Sequence, residues 1–419
     1  MTVAPATTAL RVRTRPLRLD GPLLDTLPGD ADPLSWVRGD AGGDEGIVGW
    51  GEVARFTGSG PDRFAEADRW WRSVVDGLDG HSDDVRLPGT GAVAFASFTF
   101  DDDAPGSVLV VPRVVVGRRG SRAWITEITP ADAPFAQAAI RPPAPVRPGG
   151  RLRYADGDVP AHRYRVAVAE AVQRMRAGEL AKAVLAHDLL AHADAPLDPR
   201  FLLHGLARRY PTCWSFAVDG LVGATPELLL RLDGQTVESR VLAGTMWPSG
   251  SGADVGTALY GSAKDRREHA YAVDSLAASL RPLVAELAVP DTPAVLTLPN
   301  VSHLASDVRA RLDPDRPASL LTLTGAVHPT AAVGGTPTPD ATALISEIEG
   351  LDRGRYAGPV GYVDADGGGE MGIALRCAEL QGRTARLFAG CGIVADSDPD
   401  AEVREAAAKM RAVRDALEG

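Results

Sequence analysis

The sequence predicts an α+β fold, and three features of its 419 residues carry that expectation. Short strand-like runs joined by tight turns fill the first part of the chain. The remainder interleaves further strand runs with long amphipathic helices. No short-period repeat or low-complexity tract points to a solenoid or a disordered chain.

The composition sets limits before any motif is read. Apolar residues make up 45% and charged residues 24%, ordinary values for a globular protein. A net charge of -11 without a basic stripe argues against a nucleic-acid partner. The three cysteines (Cys213, Cys377, Cys391) are widely spaced and odd in number, which suits neither a disulfide framework nor a metal knuckle. The N-terminal "MTVAPATTALRVRTRPL" lacks a secretory apolar core, and no run approaches a membrane span, so a soluble cytoplasmic protein is expected.

The elements follow in order. "GIVGWGEVARF" and "SVLVVPRVVVGRRGSRAWITEI" read as strands, the second a hairpin turning at Arg118 to Ser121. "PDRFAEADRWWRSVVDGL" has helical spacing with Pro61 near its start. Pro130 to Gly150 is rich in proline and alanine and reads as a surface crossing. "AHRYRVAVAEAVQRMRAG" is an amphipathic helix stopped by Gly178, and "GELAKAVLAHDLL" then reads as a strand. "CWSFAVDGLVGATPELLLRL" predicts a strand pair turning near Gly223 to Pro226, and "SAKDRREHAYAVDSLAASLRPLVAEL" one long helix. "ASLLTLTGAVHPT" predicts a strand that leads into a glycine-proline loop. Two more strand runs, "PVGYVDADGGGEMGIALRCAEL" and "TARLFAGCGIVA", precede a closing helix capped by Asp398 with Pro399 at its first position.

Several polar residues stand where apolar ones would be expected. Lys182 shares a strand face with Val184 and Ala186, as either an edge gatekeeper or an amine held in a pocket. Glu227 lies between Pro226 and three leucines, either at a wet turn or in an apolar site that keeps it protonated. Glu268, Ala272, Ser275 and Ser279 fall on one helix face, with Asp265 a turn earlier. On the closing helix Glu402, Glu405 and Lys409 share a face. Such stripes are usually solvated, yet a few carboxylates from two helices are also what a Mg²⁺ site uses. Arg376 is a single arginine on an apolar strand, suited to bidentate capture of a carboxylate. The loops "HPTAAVGG", "GRYAGPVGY" and "FAGCGIV" offer glycines for close backbone approach, without a Walker or dinucleotide fingerprint.

From Ala161 to the C-terminus the order of blocks resembles the chorismate-utilising enzymes. These blocks are "KAVLAHDL", "FAVDGLVGATPELLL", "VLAGT", "KDRREHAYAVD", "VSHLASDV", "HPTAAVGG", "RGRYAGPVGYVD", "GIALR", "AGCGIVADSDP" and "EVREAAAK". The resemblance implies a four-layer α/β/β/α fold of two packed, antiparallel-rich sheets with the site between them. It also implies that residues 1–150 are the variable N-terminal part of the same fold and 151–419 the catalytic core, in one structural domain. Lys182 matches the family's general base and Glu227 its general acid. Glu268 and Glu405 match direct Mg²⁺ ligands, and Asp265 and Glu402 match acids that reach the metal through water. Thr245, His303, Tyr356, Arg376, Gly390, Gly392 and Lys409 match positions that bind the substrate.

Within the family, the anthranilate synthases resemble one another in carrying glutamine at the position of Lys182 and in taking ammonia from a glutaminase partner. Lysine here disfavours anthranilate synthesis; aminodeoxychorismate synthases also carry lysine, but as a covalent nucleophile and with a glycine loop unlike "HPTAAVGG", so no glutaminase subunit is expected. "VSHLASDV" and "HPTAAVGG" look most like the isochorismate synthases, with salicylate synthases, which add pyruvate elimination, as the alternative. "VRTRPL" and "LSWVRG" lean toward the menaquinone-type rather than the siderophore-type synthases. One departure stands out: "MWPSG", Met246 to Gly250, replaces the arginine-glycine pair that many relatives carry after "VLAGT".

Overall fold

The structure, a computed structural model, describes residues 9–40, 43–135, 145–246, 255–298 and 301–419. Two long strands, Gly43–Gly58 and Ser107–Arg119, pair antiparallel and form a ribbon from which two antiparallel arms grow. The first arm runs from Ser107–Arg119 through Val93–Ser97, Pro359–Asp364, Gly369–Ile373, Leu228–Asp233 and Thr236–Met246 to Val301–Leu312. The second runs from Gly43–Gly58 through Leu34–Asp40, Trp214–Val218, Leu221–Thr225, Cys377–Gln381 and Thr384–Ile393 to Lys182–Ala193.

Helices cover the outer faces. Ala263–Leu280 and Leu320–Val327 lie on the first arm, with Arg63–Asp76 packed against the latter. Ala161–Arg176, Pro199–Arg209 and Pro399–Glu418 lie on the second. The inner faces meet around a buried carboxylate: Trp36 and Trp214 of the second arm donate their indole N–H groups to Glu370 of the first, at 2.9 and 3.1 Å. Burial alone would raise Glu370, but Arg119 and Arg231 beside it hold it down at about 2. This is the expected four-layer arrangement, with the two sheets joined along one ribbon.

Two of the chain's passages between the arms run in adjoining stretches. Thr225 to Leu228 leaves the second arm for the first, and Ile373 to Cys377 returns. The crossings are tied together: Ala224 N–H donates to the Arg376 carbonyl at 3.2 Å and Ile373 N–H to the Glu227 carbonyl at 3.3 Å.

Three local expectations need correction. The turn in "CWSFAVDGLVGATPELLLRL" falls at Asp219 and Gly220, both at positive φ (51° and 83°), as an Asp-Gly pair favours. Gly223 to Pro226 instead finishes a strand and begins the first crossing. The long helix ends at Leu280, because Pro282 interrupts it, and Val284–Ala288 is a strand. Leu320–Val327 is a helix where a strand was expected. Ser319 caps it by accepting the Thr322 N–H at 3.1 Å, and in so short an apolar run periodicity cannot separate the two forms. Residues 247–250 of the "MWPSG" departure lie outside the described residues; Met246 closes its strand. Cys213, Cys377 and Cys391 are buried and free. Among the described residues no helix is long and apolar enough to cross a membrane.

Candidate active site

The two crossings bring Glu227 and Arg376 together between the arms, and both line a cavity there. Its wall includes Glu227, Thr245, Glu268, His303, Tyr356 and Arg376, followed by Gly390, Gly392 and Lys409. Glu227 is only 4% exposed because it sits on a chain segment that leaves one sheet for another rather than on a wet turn. Burial pushes its carboxyl up to about 8, although a backbone hydrogen bond from Leu242 and the nearby Lys182, Arg376 and Lys409 pull the other way.

Arg376 takes up a positive φ of 48° to make the return crossing. Its guanidinium is buried: NH2 donates to His303 Nε2 at 2.9 Å, while NH1 has no hydrogen-bond partner. A buried guanidinium N–H without an acceptor is costly, so a wall position with one free is built for an anion. Because His303 Nε2 accepts from arginine, the ring is neutral and protonated at Nδ1, which faces Thr245 Oγ1 at 3.2 Å. Burial and the Arg376 charge hold His303 well below the ordinary imidazole range. Tyr356 stacks on Phe388, ring centroids 5.1 Å apart, and gives the cavity an apolar, flat side.

On the second arm, Gly390 and Gly392 alternate with Cys391 and both line the cavity. A Cβ on Gly392 would lie 2.2 Å from Glu268 Oε1 and 3.0 Å from Lys182 Cε. Lys182 is 0% exposed, on a strand flanked by neighbours on both sides, so the edge reading fails. It stands beside Gly392 rather than in the wall itself, with Nζ 3.2 Å from Glu268 Oε1 and no hydrogen-bonded acceptor.

The remaining acids come from two helix N-termini, where carboxylates are favoured. Ser262 caps one helix by accepting the Asp265 N–H at 3.2 Å, which places Asp265 and Glu268 in its first turns. Asp398 caps the other by accepting the Ala401 N–H at 2.7 Å, which places Glu402, Glu405 and Lys409 on one face. Asp265 also accepts the Thr245 N–H at 3.2 Å. Burial and then the adjacent Glu268 push Asp265 up, and burial and then Glu405 do the same to Glu402. Glu405 is the opposite case: burial would raise it, but the Lys409 ammonium at 2.8 Å holds it down.

Lysines hold three of these carboxylates. Lys182 meets Glu268, Lys264 meets Glu402 at 3.0 Å, and Lys409 meets Glu405 while donating to the Gly390 carbonyl at 2.9 Å. The acids of the two helices therefore do not converge on one point. Among the described residues the ligand atoms that gather within 4.8 Å are those of Cys391, Glu402 and Glu405. The oxygen donors nevertheless fit a hard divalent cation, since two of the four are pushed up by neighbouring acids and a cation would relieve that crowding.

Sequence reasoning missed Arg353 and Phe388, both in the wall. Arg353 opens the block "RGRYAGPVGYVD", but its spacing from Glu349, four residues earlier, is ordinary for a surface pair and gives no sign of a site.

A cleft between the two arms, carrying a guanidinium with one free N–H, a carboxyl pushed up by burial and acidic helix ends, suits a small, multiply charged acid. Residues 36–418 match the family described as "Chorismate binding enzyme", and the chain belongs to that family. It is 34% identical over 403 residues to the salicylate biosynthesis isochorismate synthase of Pseudomonas aeruginosa, covering 88% of this chain and 82% of that one. It is 37% identical over 268 residues to isochorismate synthase DhbC of Bacillus subtilis, covering 61% and 67%. The solved structure of MenF, the menaquinone-specific isochorismate synthase from Escherichia coli, superposes with a TM-score of 0.79 at 26% identity, covering 99% of this chain and 96% of that one.

Proposed function

We propose that this protein is an isochorismate synthase, an isomerase that adds water at C2 of chorismate while the C4 hydroxyl departs. The observation that carries this reading is Glu227, a carboxyl buried in the same cleft as a buried amine and a guanidinium with one free N–H, and pushed up by that burial. Addition of water on one carbon and loss of hydroxide from another need one base and one acid, and the two must differ in protonation. Lys182 is the base that takes the proton from water. Glu227 gives its proton to the leaving hydroxyl, so one water enters and one departs. Arg376 and Lys409 bind the pyruvyl carboxylate, with Gly390 and Gly392 leaving room for it, and Thr245 and His303 orient Arg376. Tyr356 closes over the apolar face of the ring.

Glu268 and Glu405 would hold Mg²⁺, with Asp265 and Glu402 reaching it through water. When bound, the ion supplies positive charge for the ring carboxylate. Glu268→Ala or Glu405→Ala is expected to abolish both turnover and the calorimetric response to Mg²⁺ in the presence of chorismate. Either variant with normal activity and metal response contradicts this assignment.

Gly392→Ala adds a methyl group where Glu268 Oε1 and Lys182 Cε already stand. It is expected to displace Glu268 and lower kcat by roughly tenfold or more with the far-UV circular dichroism unchanged. An unaltered kcat would mean that these two side chains are free to move without consequence.

Lysine rather than glutamine at position 182 supports water over ammonia as the nucleophile, so no glutaminase subunit is needed. Supply to menaquinone synthesis is the pathway toward which the N-terminal strands lean. A salicylate synthase would release pyruvate, and a lactate dehydrogenase-coupled assay on chorismate is expected to register none; stoichiometric pyruvate would move the assignment to that activity.

A further inference from the structure

The strand that carries Lys182 is supported unevenly on one of its sides. Thr384–Ile393 pairs with it along one edge from Ala183 to His192. On the other edge, Gly335–Thr336 covers Lys182 and Ala183, and Leu152–Asp156 covers Leu189 to Ala193. Between these two short strands the edge passes Val184 and Ala186, and Val184 lines the cavity. An unpaired buried backbone there would be expensive.

Two side chains fill the gap. The ladder with the 334–336 segment stops after the Val184 N–H donates to the Gly334 carbonyl at 2.8 Å. Arg353 NH2 then donates to the Val184 carbonyl at 2.6 Å, and Glu349 Oε2 accepts the Ala186 N–H at 2.8 Å. The pair is locked to itself by bonds of 2.6 Å from Nε and NH2 of Arg353 to the two Glu349 oxygens. Arg353 NH1 donates to the Val333 carbonyl at 3.1 Å, tying in the opposite cavity wall, and the guanidinium lies 4.1 Å over the Phe100 ring. Both residues are buried.

We infer that the Glu349–Arg353 pair is a positioning unit that replaces a missing length of strand and so sets the place of Lys182, two residues before Val184, relative to the cavity. This rests on the reading of Lys182 as the base. The pair bonds none of the residues assigned to hold substrate or metal, so its loss should act on the chemical step more than on binding. A buried ion pair with a purely structural role predicts otherwise, because an apolar pair of similar volume then serves as well.

The test compares two variants of the full-length enzyme, each first shown to keep the wild-type near-UV circular dichroism. Arg353→Lys retains the charge pair but cannot make the fan of four hydrogen bonds. It is expected to lower kcat for chorismate at least tenfold with KM changed less than threefold. The double variant Glu349→Leu with Arg353→Met removes both charges together and is expected to show the same kcat loss. A folded double variant with wild-type kcat overturns the inference, as does Arg353→Lys with unchanged kcat or with KM rising in step as kcat falls. Wild-type turnover of chorismate, measured alongside, separates failure of this inference from failure of the proposed reaction.

Discussion

Lys182→Ala is expected to lower kcat for chorismate isomerisation by about a thousandfold, within the range that a positioned general base contributes, while the folded state persists. The amine is wholly buried, 3.2 Å from Glu268 Oε1 and without a hydrogen-bonded acceptor. No structural hydrogen bond is therefore lost with it. The strand itself stays paired along one edge by ten residues of its neighbour, from Ala183 to His192, and its backbone bonds do not involve the lysine side chain. Glu268 loses its partner but is itself partly exposed to the cavity, so it is not stranded in the core. The measurement is steady-state turnover together with far-UV circular dichroism. Near-wild-type turnover would refute the assignment of the base.

Glu227→Gln is expected to cost about a hundredfold or more in kcat and to change two pH dependences. A general acid must carry its proton, and Glu227 titrates at about 8. Wild-type kcat should therefore fall as pH rises through about 8, and glutamine should remove that limb along with most of the rate. Stability gives an independent reading. The folded value lies above the ordinary carboxyl value, so the folded state alone binds this proton in the window between them. The resulting stabilisation is fully present below the ordinary value and is lost as pH rises to about 8. Denaturant midpoints of the glutamine variant should lack that component. A wild-type pH profile flat to 10, or a variant with an unchanged stability slope, would contradict a buried, protonated Glu227.

Much of this site could be read from the chain because it breaks local rules. A lysine among alanines and valines, a glutamate before three leucines and an arginine closing an apolar strand are each out of place as surface residues, and the structure buries all three. The capped helix start at Asp398 also reads directly, since a cap and the spacing of the acids after it are local properties. What could not be read is non-local. Glu227 and Arg376 are neighbours because two strands change sheets at the same level, and nothing in "GATPELLL" announces a change of sheet. The pairing of Lys264 with Glu402 joins residues 138 positions apart. Arg353 reads as half of a surface pair until the missing stretch of strand beside Val184 is seen. The helix at Leu320–Val327 was misread because its eight residues face the core on most sides, and an apolar run without a polar face carries no period.

On this reading the cleft converts chorismate to isochorismate and stops there. The most direct test incubates the purified protein with chorismate and Mg²⁺, without ammonia, and resolves the products by chromatography. The arrangement of Lys182 and Glu227 predicts a standing mixture of chorismate and isochorismate. Chorismate recovered unchanged from a protein that binds it would contradict the claim, leaving a cleft that holds the acid without transforming it.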